Sequence, residues 1–462
     1  MYSKNAPSQA TNPLNIPRLI DSREADQDIQ LKIQDSRHEF FAGVESETKG
    51  FSQSYLGPTI RLYDGEETRL RFTNELNEAT TVHGHGLHVE GQLDGGPQNS
   101  IMPGDTWDIT LPIRQEASTN WYHPHLMGKT AEHVHAGLAG LYLIEDENSQ
   151  NLSIPKAYGV DDIPLIIQDR SFENGVMNNY SVDEDEMMDG KREDTLVVNG
   201  TINPFVEVPK GWIRLRLLNG SNARFYDFHL KDNEPFYKIA TEGGFLESSV
   251  EINSMRMVPG ERNEIMIDVS DGQTRELMAN LLPIDDDFFG ELSIPTERVL
   301  EIRVDSSLES FGELPEKLNT ITPWDPADAS KTREFTLEME EMETGNNTMD
   351  MHSMFSINGK AMDMSRIDEQ VKQGDIEIWR ITRDEMDHPF HMHGTSFLIL
   401  SQNGKPPAPE DQGWKDTVEV GYGWTEVIMK FEHEAAREHP YMYHCHILEH
   451  EDGGMMGQFT VQ

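Results

Sequence analysis

The sequence predicts an all-β protein that folds as three Greek-key β-sandwich domains. A turn glycine followed by strict alternation of apolar and polar residues, the pattern of a half-buried strand, occurs three times, at residues 65–74, 211–219 and 374–382. A second strand pattern follows Pro103-Gly104-Asp105 and Pro259-Gly260-Glu261, with a weaker counterpart at residues 423–431. Repeats of strand and turn about 150 residues apart indicate one sandwich copied three times.

Changes in composition mark the predicted domain limits. An acidic stretch with asparagine and proline runs from Glu145 to Pro155, and a stretch rich in proline, aspartate, serine and lysine runs from Leu314 to Lys331. The first 25 residues contain three prolines and few apolar residues, which predicts a loose arm. We therefore expect a loose N-terminal arm at residues 1–25 and three domains at residues 26–150, 156–312 and 330–462.

The charge of the chain excludes some classes of partner. Among 462 residues, 82 are acidic and 38 are basic, which gives a formal charge of −44. Such a charge argues against binding to nucleic acid or to anionic membrane surfaces. No apolar run approaches the ~18 residues that a membrane helix needs, so we expect no membrane partner.

Histidines form the first pattern that indicates chemistry. Eight of the 18 histidines form four His-x-His pairs, which are His83 with His85, His123 with His125, His391 with His393, and His444 with His446. On a strand, residues i and i+2 point to the same face about 6.6 Å apart, so each pair can direct two imidazoles towards two neighbouring metal ions. A single His-x-His pair in a chain arises more often by chance than for metal binding, but four such pairs indicate a metal site. Imidazole alone leaves copper, zinc, iron and nickel open.

The single cysteine narrows the choice of metal. Cys445 lies between His444 and His446, so on a strand it points to the opposite face. His450 and Met455 follow it closely, and His388 precedes the third histidine pair. Two imidazoles, a thiolate and a weak axial thioether form a blue-copper electron-transfer site. One strand would then join a blue copper on one face to a histidine cluster on the other.

The complete motifs resemble those of a known family. The segments His83-x-His85-Gly, His123-Pro-His125, His388-Pro-Phe-His391-x-His393-Gly and His444-Cys-His446 with His450 and Met455 resemble the four-motif signature of multicopper oxidases. Residues 91–97, 217–224, 413–418 and 449–456 resemble its bacterial three-domain laccase and cuprous oxidase branch. The resemblance covers nearly the whole chain. It implies three cupredoxin-like domains and four copper ions, one of type 1, one of type 2 and two of type 3.

The resemblance also implies the ligands of each ion and a cluster between the first and third domains. The type 1 copper would take His388, Cys445, His450 and axial Met455; the type 2 copper His83 and His391; one type 3 copper His85, His123 and His446; the other His125, His393 and His444. The middle copy has no histidine pair and is interpreted as a spacer without copper.

Asp94 matches the position where the family has a carboxylate near the type 2 copper, and Glu451 is a similar candidate that directly follows ligand His450. Asp94 and Glu451 would then act as catalytic residues that relay the protons consumed by oxygen reduction. The alternatives are a turn residue before Gly95-Gly96 for Asp94, and a residue that supports a ligand or lies at the surface for Glu451.

Substrate choice is less well defined. Asp384 and Met386 match positions that hold Cu(I) in some cuprous oxidases, and the alternative is an exposed loop. The methionine-rich segment, residues 339–364, is much shorter than the insertion of cuprous oxidases. We therefore expect the blue-copper edge at His388 and His450 to be open to small phenols. Whether the segment captures copper, rather than filling core space, stays open.

The resemblance thus predicts a laccase-type enzyme that oxidises phenols or other aromatic donors and reduces O₂. One alternative is an oxidase of Cu(I) or Fe(II) in copper homeostasis, and a remote one is a copper-free scaffold protein. We expect a monomer. The chain start has no apolar signal core, and because the family is commonly exported we expect a removed leader and a periplasmic or secreted protein, with a cytoplasmic location still open.

The charge leads to a prediction about stability. Self-repulsion of a charge of −44 destabilises the folded state and is screened by salt, with a Debye length of ~3 Å at 1 M. The melting temperature should therefore rise as NaCl is raised to about 1 M. Thermal unfolding followed at increasing NaCl checks this, and a falling melting temperature would contradict it. Stability is a cleaner readout than rate, because chloride can inhibit by binding copper.

Overall fold

The computed structural model describes residues 11–282, 294–310, 312–339 and 354–462. Over these residues the chain consists mainly of strands arranged in several sheets, which confirms the all-β class. No helix within the described ranges is long and apolar enough to cross a membrane.

The strands fall into three successive sets. The first is β1 Asn12–Pro13, β2 Leu19–Asp21, β3 Asp28–Phe41, β4 Val44–Phe51, β5 Thr59–Tyr63, β6 Glu67–Asn74, β7 His83–His85, β8 Thr106–Pro112, β9 Ser118–His123 and β10 Gly140–Glu145. The second is β11 Asp162–Arg170, β12 Phe172–Glu173, β13 Val176–Met177, β14 Thr195–Val198, β15 Thr201–Ile202, β16 Pro204–Val208, β17 Trp212–Asn219, β18 Phe225–Leu230, β19 Phe236–Thr241, β20 Gly244–Ile252, β21 Ser254–Met257, β22 Arg262–Asp268, β23 Arg275–Leu282 and β24 Thr296–Val304. The third is β25 Lys331–Met339, β26 Phe355–Ile357, β27 Glu369–Val371, β28 Ile376–Arg383, β29 His388–Met392, β30 Phe397–Gln402, β31 Thr417–Val420, β32 Trp424–Lys430, β33 Tyr441–Cys445 and β34 Met456–Val461.

The α-helices are short and lie in the connections. They are α1 Gly91–Asp94, α2 Thr130–His135, α3 Glu147–Asn151, α4 Glu184–Asp189 and α5 Leu448–Asp452. Short 3-10 turns occupy Lys231–Asn233, Pro326–Asp328 and Pro409–Asp411.

The three alternating segments predicted as repeats become β6, β17 and β28. Each has one parallel and one antiparallel neighbour, which are β3 and β8 for β6, β11 and β22 for β17, and β25 and β32 for β28. A strand parallel to an earlier one cannot be reached by a hairpin, so the chain must cross over as in a Greek key. The same local pattern therefore gives the same three-stranded unit three times.

Each unit has its own hydrophobic cluster. The first cluster spans Ile29 to Ile144, the second lies mainly between Ile163 and Ile302, and the third lies mainly between Phe335 and Val461. A separate core is what defines a domain. We propose that these clusters are the cores of domains at residues 26–150, 156–312 and 330–462.

The N-terminal arm is more ordered than expected. Residues 1–10 lie outside the described ranges, but β1 pairs in parallel with β16, and β2 pairs in parallel with β5. Leu14 is buried in the second cluster. The expectation of a loose arm over residues 1–25 is therefore wrong for the part that the structure describes. An edge strand of two or three residues needs backbone hydrogen bonds rather than apolar side chains, so composition does not reveal it.

Two strand pairs position the histidines. In the first domain β7 is an edge strand that pairs with β9, which sets His83 opposite His123. In the third domain β29 pairs with β33, which sets His391 opposite His444 and Phe390 opposite Cys445. Side chains alternate between the faces of a sheet, so His444 and Cys445 point away from each other.

Candidate metal centre

The eight paired histidines meet in one buried region between the first and third domains. Each of these residues is at most 1% exposed. The ring of His83 stacks on that of His393 with 3.9 Å between centroids, and His85 stacks on His391 at 3.6 Å. Both stacks join one imidazole from each domain, so the region forms where the two domains dock.

Five of these imidazoles are oriented by a hydrogen bond from Nδ1 to an oxygen. Each Nδ1 lies 2.8 Å from an oxygen, which is the Asp94 carbonyl for His83, the Pro124 carbonyl for His123, the Asp416 carbonyl for His391, the Cys445 carbonyl for His444 and Asp94 Oδ2 for His393. A proton on Nδ1 donates to that oxygen and leaves Nε2 as a bare acceptor. Within the described part of the chain, Nε2 of His83, His123 and His391 is buried with no hydrogen-bond partner. Buried acceptors without a partner are costly unless an ion binds them.

Three further nitrogens converge. His444 Nε2 lies 3.2 Å from His125 Nε2 and 3.3 Å from His393 Nε2. Acceptor nitrogens this close repel one another unless a cation lies among them, and neutral imidazole is the form that binds metal. These three residues are the set predicted for the second type 3 copper.

His85 is turned round relative to the five histidines held through Nδ1. Its Nε2 lies 3.1 Å from Asp416 Oδ1 and 3.3 Å from Thr417 Oγ1. Its Nδ1 is buried and, within the described residues, has no partner. The free acceptor of His85 is therefore Nδ1. Asp416 was not predicted as a site residue, although it lies in the segment 413–418 that carries part of the resemblance.

The structure groups the remaining histidines differently from the predicted sets. Ligand atoms within 4.8 Å of one another form the groups His83–His85–His123, His83–His391–His393 and His85–His391–Asp416. His446 lies near them, with its ring 5.1 Å from that of His85. All eight histidines are together, but their division between a type 2 and the first type 3 ion stays a prediction.

The predicted blue-copper residues form a second site on the other face of β33. His388 Nδ1 lies 3.4 Å from Cys445 Sγ, His450 Nδ1 lies 3.7 Å from it, and the two Nδ1 atoms are 3.3 Å apart. Met455 is fully buried, and its carbonyl accepts from the Cys445 amide at 3.1 Å. Burial raises the pKa of the Cys445 thiol, so a thiolate here needs a bound cation. Two imidazole nitrogens and a sulfur fit copper.

The blue-copper edge is not open, contrary to expectation. His388 and His450 are both 0% exposed. The ring of Phe355 stacks on His450 with 4.4 Å between centroids, and His450 Nε2 donates to the carbonyl of Met188 at 2.8 Å. Met188 belongs to α4, in the middle domain. Phe355 lies within the methionine-rich segment, whose shortness had predicted an open edge, and residues 340–353 of that segment lie outside the described ranges. The contact with Met188 was not predicted from the sequence.

Asp94 and Glu451 lie against the histidine cluster on different sides. Asp94 Oδ2 is 2.8 Å from His393 Nδ1 and 3.4 Å from His83 Nδ1. Burial raises the pKa of the Asp94 carboxyl, but the hydrogen-bonding neighbours His393 and His83 outweigh burial and hold that pKa below its ordinary value. Glu451 oxygens lie 3.2 Å from His125 Nδ1 and 3.3 Å from His444 Nδ1. Burial raises the pKa of Glu451 well above its ordinary value.

Asp384 and Met386 lie in the loop before His388, between β28 and β29. Asp384 is exposed, and its Oδ2 accepts from the amide of Met339 at 3.2 Å. Met386 is 8% exposed and packs in the third hydrophobic cluster. Met339 and Met354, from the methionine-rich segment, are also buried there. The three methionines thus have a packing role, whereas the Asp384 carboxylate accepts from backbone amides, and binding of Cu(I) by Asp384 and Met386 stays a prediction.

Known proteins give independent support for the family. Family models described as multicopper oxidase match residues 32–149 and 330–462. The cell division protein FtsP of Dickeya dadantii is 38% identical over 98% of this chain and 93% of its own length. The multicopper oxidase mco of Staphylococcus aureus is 37% identical over 98% of this chain and 93% of its own length. The structure of CueO from Ochrobactrum sp., a laccase-like multicopper oxidase with activity towards lignin model compounds and lignosulfonate, is 39% identical, with a TM-score of 0.88 over 97% of this chain and 100% of its own.

Two family models cover more than half of the chain, and relatives above 30% identity cover almost all of it. Their matched segments include both groups of paired histidines and Cys445. The chain therefore belongs to the multicopper oxidase family.

Proposed function

We propose that this protein is a laccase-type oxidase of phenols and other aromatic donors that reduces O₂ to water. The main support for this proposal is the position of Cys445. Its sulfur lies beside two imidazoles on one face of β33, and its neighbour His444 lies in the histidine cluster on the other face. A covalent path one residue long connects the two sites. A chain that only bound one metal would not need this connection.

The residues that would hold copper are those of the predicted sets. Type 1 would be bound by His388, Cys445, His450 and Met455; type 2 by His83 and His391; and the type 3 pair by His85, His123 and His446 and by His125, His393 and His444. When bound, copper would supply one-electron transfer at the first site and reduction of O₂ at the cluster. Burial of every ligand shields both sites from bulk solvent.

Electron entry is directed by the cover of the first site. The structure buries His450 under Phe355 and Met188, so a donor meets α4 or Phe355 before it meets the imidazole. The hydrogen bond from His450 Nε2 to the Met188 carbonyl fixes the ring and offers a short path outward. We therefore propose that the donor contacts this cover, rather than a bare histidine edge.

Asp94 and Glu451 lie where they could relay protons to the histidine cluster. Each carboxyl lies within 3.4 Å of two imidazole Nδ1 atoms of the cluster and is 1% exposed. An acid held at this position can pass a proton to the site of oxygen reduction without moving a ligand. We propose both as proton relays.

Two other functions have some support. Oxidation of Cu(I) or Fe(II) would use Asp384 and Met386, which lie two to four residues before His388. A scaffold role without copper is suggested by relatives that carry the name of a cell division protein. The buried donor set argues against it, because a scaffold gains nothing from histidine acceptors that lack partners. A monomer, exported to the periplasm or beyond, remains our prediction.

Copper content separates an oxidase from a scaffold. The loaded protein should bind four coppers per chain and be blue, because a cysteine thiolate on Cu(II) absorbs visible light strongly. Cys445→Ser should remove the colour and leave the three-copper cluster able to load. Elemental analysis and visible absorption measure both. Fewer than three coppers in well-loaded wild-type protein would contradict the assignment, and none at all would favour the scaffold.

Asp94→Asn tests the proton relay. The amide keeps the size of Asp94 and can still accept from His393, so the ring should stay in place while the proton path is lost. We expect turnover with O₂ to slow by about 100-fold. Anaerobic reduction of the blue site by a phenol should stay nearly unchanged, and this half-reaction is the control. If anaerobic bleaching slows as much as turnover, Asp94 is not a relay.

Asp384→Ala with Met386→Ala tests the choice of substrate. Cu(I) oxidation should fall by about tenfold if these residues bind the ion, and oxidation of 2,6-dimethoxyphenol should not change. Asp384→Asn with Met386→Leu is the matched control for folding, because it keeps the acceptor for Met339 and the buried volume while removing charge and sulfur. Equal losses on both substrates, recovered in the control pair, would mean that the residues hold the loop.

A further inference from the structure

Arg262 is an arginine of the middle domain that reaches the histidine cluster. It is 0% exposed and begins β22. Its guanidinium donates from Nη1 to Asp416 Oδ1 at 2.7 Å and from Nη2 to Asp416 Oδ2 at 2.6 Å. It also donates to Asn120 Oδ1 at 2.8 Å and to the Thr119 carbonyl at 3.0 Å. One side chain thus joins all three domains.

Asp416, which Arg262 binds, also contacts two imidazoles of the cluster. Its Oδ1 lies 3.1 Å from His85 Nε2 and 3.5 Å from His391 Nδ1, while its backbone carbonyl accepts from His391 Nδ1 at 2.8 Å. A bidentate arginine pair fixes the plane of a carboxylate, because two parallel hydrogen bonds allow one orientation. The carboxylate plane in turn fixes where the His85 ring can donate.

The local backbone leaves room for this arrangement. Gly86 follows His85 with φ of +89°, and a Cβ there would lie 2.4 Å from Arg262 Nη2 and 2.8 Å from Asp416 Oδ2. Gly260, two residues before Arg262, has φ of +85°, and a Cβ there would lie 2.8 Å from Cδ2 of His446. Side chains at these positions would push the middle domain away from the cluster.

We infer that Arg262, acting through Asp416, is a positioning residue that turns His85 so that Nδ1 faces the cluster. This inference rests on the proposed copper assignment. The five imidazoles held through Nδ1 rely mainly on backbone carbonyls, whereas His85 relies on a carboxylate whose orientation depends on another domain. The middle domain therefore helps to build the cluster.

Arg262→Met tests the inference, with Arg216→Met as the matched control. Arg216 is equally buried in the middle domain and makes a bidentate pair with Asp162 at 2.8 and 2.9 Å, but its hydrogen bonds go to Asp162, Thr119 and Glu264 rather than to a histidine. Both variants lose a buried ion pair, so both should lower the melting temperature. Arg262→Met alone should hold cluster copper at least tenfold more weakly, since residues that orient ligands contribute about that much to metal affinity.

The readouts are copper per chain after dialysis against a chelator, the blue absorption, and the paramagnetic resonance spectrum of the type 2 copper. Loss of cluster copper with the blue colour kept, in Arg262→Met but not in Arg216→Met, supports the inference. Asp416→Asn, of unchanged size, should show the same loss and decides the matter if Arg262→Met does not fold. Wild-type copper retention in Arg262→Met or Asp416→Asn, or equal loss in Arg216→Met, overturns it. Wild-type protein that binds no copper would instead overturn the proposed function, and the inference with it.

Discussion

Burial of ten imidazoles that lack enough hydrogen-bond partners among the described residues is the constraint on which this structure depends. Burial lowers the pKa of His85, His123, His388 and His444 well below the ordinary value, so these rings are neutral. Neutral imidazole presents one donor and one acceptor. The N–H groups of these rings donate to oxygens around the site, while many of the acceptor nitrogens face one another at its centre. Such an arrangement is unfavourable by itself and becomes favourable when cations bind.

The repeated sandwich explains why the cluster lies between domains. Each terminal domain offers its histidine pairs from one pair of strands, β7 with β9 and β29 with β33, and only docking brings all eight imidazoles together. The middle domain adds Arg262 beside His85, the turn at Gly260 against His446 and the carbonyl of Met188 on His450. The interpretation of this domain as a spacer describes its lack of paired histidines but not its contacts.

Much of this could be predicted from the sequence, since a strand repeats every two residues. That period identified β6, β17 and β28. It also predicted, from the sequence alone, that Cys445 and His444 point to opposite faces of one strand. The reversal of His85 could not be predicted, because it depends on Asp416, 331 positions away. The Met188 carbonyl, one part of the cover over His450, likewise comes from another domain. The local sequence pattern determines the face of the sheet to which a side chain points. Docking of the domains determines which residues that side chain contacts.

Three carboxylates connect the two halves of the cluster. Asp94 contacts His83 and His393, Glu451 contacts His125 and His444, and Asp416 contacts His85 and His391. In every case one imidazole belongs to the first domain and the other to the third. Each carboxylate therefore orients a histidine from both sides of the interface at once. Separation of the domains would break one of the two contacts of each carboxylate, because Asp94 would keep only His83, Glu451 only His444 and Asp416 only His391. Because the same contacts aim the metal-binding nitrogens, docking of the domains and binding of copper stabilise each other.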